Sequence, residues 1–296
     1  MDDSPLKDRT VVITGAARGV GAALAAALAG RGARLALLDH DGAALRATAA
    51  ALPATTLALP VDVTDAEALH DAAEAVRGRL GPPSAVVANA GVAEAAPFAR
   101  SDAATWRRVV EVNLVGSAQT ARSFLPDLVR TAGYHLQIAS LASLGAAPLM
   151  SAYCASKSGV EAFAHSLRAE VAHHDVAVGL AYLGWIDTDM IRAGDQYAAL
   201  RELRAHMPFP ARRVHPAEVV AARLVRAVEQ RRTAVYVPSW LRLAQVGRAA
   251  IPPLVLRATR RTLPRLEAAE PLRPTGLLGA GGRADRAATI TGPIPE

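Results

Sequence analysis

The chain has a single cysteine, Cys154, in 296 residues. No internal disulfide framework and no cysteine-based metal cluster can form from it. A reducing compartment, with the cytoplasm as the default location, is the expectation. Aromatic residues are also scarce, at 4%. That leaves no stacking platform for single-stranded nucleic acid, despite a formal net charge of +6. No run of about 18 uncharged apolar residues is present to span a bilayer. The first nine residues, Met1 to Arg9, are charged and contain no apolar signal core. Lysine is nearly missing as well: Lys7 and Lys157 stand alone among 33 basic residues. The excess positive charge sits largely after about residue 200, in arginine-rich segments, which indicates a local basic surface rather than a nucleic-acid-binding fold.

What is present is a regular alternation. Thr10–Thr14 is a short β-branched run that meets a glycine-rich turn, and residues 22–31 then read as an alanine-rich helix. Strands are predicted at 34–38, 56–60, 84–88, 134–139, 176–181 and 233–238. Helices are predicted near 41–52, 65–79, 102–130, 152–173 and 214–232. Strands that are apolar on both faces and separated by helical segments predict a parallel sheet covered on each side. The expected fold class is therefore α/β: one Rossmann-like, doubly wound domain over residues 1–238, followed by a C-terminal extension. Residues 189–213 break the rhythm and read as a lid over the mouth of the sheet. Met190, Ile191, Tyr197, Leu200, Leu203, Met207 and Phe209 would give that lid an apolar inner face or pack it onto its own domain. In the extension, residues 239–266 mix apolar side chains with arginines, and the Pro252-Pro253 pair is expected to break any helix there. That segment is read as packing against a neighbouring subunit or the lid, with peripheral contact to an anionic membrane as the competing reading. The last thirty residues, rich in glycine, proline and arginine, are expected to be disordered.

Two pieces of chemistry stand out. Tyr153 and Lys157, in Ser151-Ala-Tyr-Cys-Ala-Ser-Lys157, are one helical turn apart, so they share a face. An ammonium beside a phenol favours the phenolate, which would fit the pair for proton transfer to or from an alcohol oxygen near neutral pH. Ser140 lies upstream at the end of an apolar segment. The second piece is Thr14-Gly-Ala-Ala-Arg-Gly-Val-Gly21, a glycine run after a strand and opening a helix. Gly15, Gly19 and Gly21 would let the backbone approach a pyrophosphate at a helix N-terminus. Asp39 closes the second strand about twenty residues on, where a carboxylate can accept hydrogen bonds from both ribose hydroxyls of an adenosine.

With Asp62-Val63 after the third strand, Asn89-Ala-Gly91 after the fourth, and Asn113, this ordered set closely resembles the short-chain dehydrogenase/reductase family, over residues 8–238. The resemblance implies a catalytic tetrad. Tyr153 would be the general acid/base, and Lys157 would lower its pKa and hold the nicotinamide ribose. Ser140 would polarise the substrate oxygen, and Asn113 would anchor a water in a proton relay. It implies a nicotinamide dinucleotide held by Gly15, Arg18, Gly19, Val20 and Gly21, with Asp62 and Val63 at the adenine and Asn89, Ala90 and Gly91 beneath the nicotinamide ribose. Ile186 and Thr188 would belong to the loop that holds the carboxamide; that loop departs from the family in carrying Leu183 where proline is usual. Asp39 favours NAD(H), whereas Arg18, with His40, would suit the 2′-phosphate of NADP(H).

The expected activity is hydride transfer between that cofactor and a secondary alcohol or ketone, of lipophilic character. An epimerase or dehydratase, and a non-catalytic nucleotide-sensing scaffold, are the competing readings; the first usually needs a larger C-terminal domain, and the second predicts a damaged tetrad. Homodimers or homotetramers formed through the helices near 102–130 and 152–173 are expected. No metal site is expected, because His173-His174 has no acidic partners at ligand spacing. Cys154 reads as a small buried side chain.

Overall fold

The computed structural model of the chain describes residues 4–291. The described strands are β1 (Thr10–Thr14), β2 (Arg34–Asp39), β3 (Thr56–Pro60), β4 (Ala85–Ala88), β5 (Tyr134–Ser140), β6 (Ala177–Leu183), β7 (Trp185–Ile186), β8 (Val214–His215) and β9 (Ala234–Val237). Seven of them form one parallel sheet in the order β3-β2-β1-β4-β5-β6-β9, while β7 and β8 pair separately. The order reverses between β1 and β4. In an open α/β sheet, ligands bind outside the carboxyl ends of the strands at that point.

The helices are α1 (Gly19–Ala29), α2 (Gly42–Ala50), α3 (Ala66–Leu80), α4 (Ala103–Val110), α5 (Gly116–Thr131), α6 (Ser151–Val171), α7 (Asp189–Gly194), α8 (Ala198–Ala205), α9 (Ala217–Glu229), α10 (Leu241–Val246), α11 (Ile251–Ala269) and α12 (Gly279–Thr291). Aspartates begin three of them: Asp41, Asp65 and Asp102 accept from the amides of Ala44, Ala68 and Thr105, satisfying donors that a helix start leaves free. Alternation along the strands divides the core. Val11, Ile13, Leu35 and Leu37 pack with Leu24, Leu28, Val220 and Leu224 on one face. Val12, Ala36 and Leu38 pack with Leu69, Val76, Phe124 and Leu167 on the other. The sheet is thus buried on both sides, as its continuous apolar strands imply.

One core residue carries a pH signature. His135 in β5 is 1% exposed, and burial pushes its pKa down to about 4. Its imidazole stays neutral in the folded chain at pH values where the unfolded chain takes up a proton. The stabilising effect is therefore complete above the unfolded value near 6.5 and lost as pH falls through about 4. On the order of 3 kcal/mol should go over that window. Chemical denaturation across the window should show the loss, and His135→Leu should flatten it; an equally steep loss in the variant would contradict the assignment.

Two expectations about the extension are corrected. Pro252 and Pro253 do not break a helix; they occupy the first turn of α11, where backbone N–H groups have no helical partner to lose. Nor is the region after residue 266 without structure among the described residues. Leu272, Leu277 and Leu278 are buried, and α12 packs along α7. The outward face of α10 and α11 keeps Leu243, Val246, Leu254 and Leu256 exposed. Among the described residues, no helix is long and apolar enough to cross a membrane, and no cluster of histidine, cysteine and carboxylate side chains could hold a metal ion.

Candidate active site

The glycine turn is built by close approach. Gly15 and Gly19 have φ of +65° and +56°, a backbone region that side-chain-bearing residues avoid. A Cβ on Gly15 would fall 2.7 Å from the Cα of Ala90, and one on Gly21 only 2.0 Å from the Gly15 carbonyl oxygen. Asn89 locks the turn to the end of β4: its side-chain amide donates to the carbonyls of Thr14 and Gly15, both at 3.0 Å. The Thr14 hydroxyl accepts from the amides of Asn89 and Ala90.

The cleft that opens above this turn is lined by Gly15, Arg18, Gly19 and Val20, by Asp39, Asp62 and Val63, by Asn89, Ala90 and Gly91, and by Ser140, Tyr153, Lys157, Ile186 and Thr188. Most of the residues singled out in the sequence therefore meet on one surface. Gly21 and Asn113 do not line it: Gly21 is packed under the turn against the Gly15 carbonyl, and Asn113 lies deeper. It is fully buried behind that wall, in a π-helical turn, Glu111–Val115, joining α4 to α5. Its side chain accepts from the Val92 amide at 2.8 Å and donates to the Val92 carbonyl and the Ser156 hydroxyl. It therefore ties the Gly91 loop to α6.

Ser140 ends β5 and caps the 3-10 turn Leu141–Leu144. Ser143, which had no sequence signal, fixes that turn to α6: its hydroxyl donates to the Lys157 carbonyl at 2.8 Å and accepts from the Ser140 amide. Arg248 secures it from outside, donating to the Ser143 carbonyl and to Glu161.

Lys157 is 4% exposed; its ammonium donates to the Ile138 carbonyl at 3.1 Å and lies 5.8 Å from the centroid of the Tyr153 ring. Burial pulls its pKa down to about 8. Burial also raises the Tyr153 phenol above its ordinary value, while a hydrogen bond with Ser140 draws it back. The phenol is thus protonated at neutral pH, the form that can give a proton away; the lowering expected from Lys157 is not seen, because burial dominates.

At the end of β2, the Asp39 carboxylate accepts from the amides of Ala17 and Asp41, each at 3.0 Å, and is 7% exposed. Arg18 does not stand free for a phosphate. Its guanidinium pairs with Asp41 at 2.5 Å, and this contact, with the Ala44 amide, holds the Asp41 carboxyl below its ordinary value. Asp62 accepts from Thr64 and, at 2.5 Å, from Arg108. Burial acts to raise its pKa, but these bonds prevail and lower it. Arg108 also meets Asp285 of α12. Neither Arg108 nor Asp285 belongs to a local motif; only folding brings them together.

The cleft fits a dinucleotide cofactor. Gly91 borders both Asn113 and Lys157: a Cβ there would be tight against the Asn113 Oδ1, at 3.1 Å, and in ordinary contact with the Lys157 Nζ, at 3.6 Å. One and the same cleft is lined by Asp39 and by Tyr153. Of the apolar residues assigned to the lid, Met190 and Ile191 line this cleft, while Phe209 is 72% exposed.

Comparison with known proteins agrees with this geometry. A family model described as short chain dehydrogenase matches residues 9–197. The galactitol 2-dehydrogenase (L-tagatose-forming) of Cereibacter sphaeroides is 35% identical over 73% of this chain and 86% of its own length. The probable oxidoreductase EphD of Mycobacterium tuberculosis is 35% identical over 62% of this chain, which spans only 32% of EphD. A short chain dehydrogenase/reductase from Burkholderia phymatum, solved in complex with NAD, superimposes with a TM-score of 0.72 at 26% identity, covering 83% of this chain and 94% of that one. The chain belongs to the short-chain dehydrogenase/reductase family.

Proposed function

We propose that the protein is an NAD-dependent oxidoreductase that interconverts a secondary alcohol and a ketone, with Tyr153 as general acid/base. The observation that carries this reading is the meeting of Ser140, Tyr153 and Lys157 at one end of a cleft whose other end presents Asp39. Gly15, Gly19 and Gly21 would hold the diphosphate, Asp39 the adenosine ribose, Asp62 and Val63 the adenine, and Lys157, Ile186 and Thr188 the nicotinamide half. When bound, the cofactor supplies or accepts the hydride. The chain's own part is to orient and to move one proton. Ser140 Oγ hydrogen-bonds the substrate oxygen, Tyr153 Oη gives that oxygen a proton in reduction and takes it in oxidation, and Lys157 sets the field in which it does so.

The printed name of the galactitol relative describes a secondary alcohol becoming a ketone, which supports the reaction class. Val92, Leu183, Met190 and Ile191 along the cleft support a lipophilic substrate rather than a polyol. The exposed apolar face of α10 and α11 and the long helices α5 and α6 suit packing between copies of the chain. A screen of paired secondary alcohols and ketones, apolar and polyol, followed through NADH absorbance, tests the proposal; turnover of none of them would sink it.

The protonation of Lys157 sets a pH limit. Its ammonium is present below about 8 and is lost as pH rises through that value. The ratio kcat/KM for NADH, which reports the free enzyme, should be level near neutrality and fall about tenfold per pH unit above it. A profile that stays level to about pH 9.5 would remove the ammonium from the mechanism.

A further inference from the structure

Asp39, Lys157 and the glycine turn lie within the residues that the family model matches, yet the same cleft has a second wall from far outside them. Leu278, Gly279, Gly281, Gly282 and Asp285 line it together with the turn. We propose that residues 275–286 form a strap belonging to the dinucleotide site, so that bound NAD(H) is held between this strap and the glycine turn. This rests on the dinucleotide reading above and adds to it a contact from outside the family core.

Three sets of contacts place the strap. At its start it is stitched to the loop after β4. The Thr275 amide donates to the Ala95 carbonyl at 2.9 Å, the Leu278 amide to the Ala93 carbonyl at 2.8 Å, and the Ala95 amide to the Thr275 hydroxyl at 3.0 Å. Leu277 and Leu278, 4% and 6% exposed, are buried there. In its middle, Gly279 presses on α7 so closely that a Cβ would fall 2.9 Å from the Met190 backbone, at φ +76°. Gly281 reaches toward the turn, and a Cβ on it would be 3.8 Å from Arg18 Nη1. Further along, Asp285, 3% exposed, meets Arg108 at 2.6 Å, and Arg108 in turn holds Asp62. The strap thus approaches Arg18 beside the turn and, through Arg108, is linked to Asp62, where the adenine would lie.

Gly279, Gly281 and Gly282 all line the cleft. A Cβ on Gly279 would run into Met190 and one on Gly282 into Leu277, so of the three it is Gly281 whose missing side chain keeps space clear toward Arg18 and the turn. A strap that merely blocked the cleft would gain from bulky side chains there; one that closes on a flat, charged ligand needs the backbone close and the space clear. The arrangement also restricts exchange of cofactor, because the contacts to Ala93, Ala95 and Arg108 must loosen for a dinucleotide to pass.

Hydrogen exchange on the full chain, with and without saturating NADH and separately with ADP-ribose, tests the inference. Amides from 276 to 286 should exchange at least about tenfold more slowly with either ligand, together with those of the glycine turn, because a ligand that contacts a segment stabilises its closed form. Protection of the turn while the strap is unchanged would overturn the strap and leave the cofactor reading standing. Faster exchange in the strap would show that NADH displaces it, making it a block rather than a wall. No protection at either place would overturn both. Asp285→Asn, which weakens the tie to Arg108, should speed NADH release about tenfold in stopped flow with turn protection retained; an unchanged release rate would contradict the strap's role.

Discussion

Tyr153→Phe is expected to lower turnover by on the order of 10³-fold or more while leaving NADH affinity within about twofold, since the change removes a single hydroxyl. The ring packs against the apolar core around α6 and keeps its place in the variant, so the loss isolates the proton. The phenol is the group near Ser140 that can hold a proton at neutral pH and release it: burial and the Ser140 bond oppose one another in setting its pKa. Lys157, drawn down to about 8, is the adjacent charge. Steady-state rates paired with calorimetric binding would separate chemistry from affinity. Retained turnover would remove Tyr153 from the mechanism, and lost binding would make its role structural.

The second large effect concerns the choice of cofactor. Replacing Asp39 and Asp41 together by serine should shift the ratio of NADH to NADPH affinity by about 10² to 10³ toward NADPH. The Asp39 carboxylate lines the end of the cleft proposed for the adenosine ribose, and a like charge brought against it costs several kcal/mol, where each 1.4 kcal/mol is tenfold. Asp41 also neutralises Arg18, so its removal frees a guanidinium suited to phosphate. Serine at 41 keeps a side-chain oxygen for the first turn of α2, which Asp41 now caps through Ala44. Neither substitution touches Tyr153 or Lys157, so any loss of turnover would report on binding. An unchanged ratio would show that the discrimination lies elsewhere.

Much of the fold was legible because its signals are local. β-branched and apolar runs separated by helical segments pointed to a parallel sheet, and its seven strands lie within two residues of the predicted ends, whereas the short β7 and β8 had no such signal. The Tyr153–Lys157 spacing and the Gly15–Gly21 turn were readable for the same reason: both are short segments whose geometry follows from the helix repeat and from glycine. What escaped is non-local. The Arg18–Asp41 pair changes the meaning of Arg18, but it forms only when the turn and the start of α2 come together. Ser143 and Arg248 brace the turn that follows Ser140 across 14 and 105 residues of sequence.

The C-terminal region was misread for a related reason. Its glycine and arginine content gives no apolar period, and its few leucines become buried only against the loop after β4 and against α7. Pro252 and Pro253 were read as breakers because proline is costly inside a helix, but it is well tolerated in the first turn. Departures of this kind concentrate where the chain assembles its cleft from distant pieces, which is also where the family core and its extension meet.

The most direct test is calorimetric titration of the full chain with NADH and, separately, NADPH. The account predicts one NADH bound per chain, with NADPH weaker by at least about a hundredfold, the difference set by Asp39 and Asp41. Binding of neither nucleotide, or tighter binding of NADPH, would contradict it.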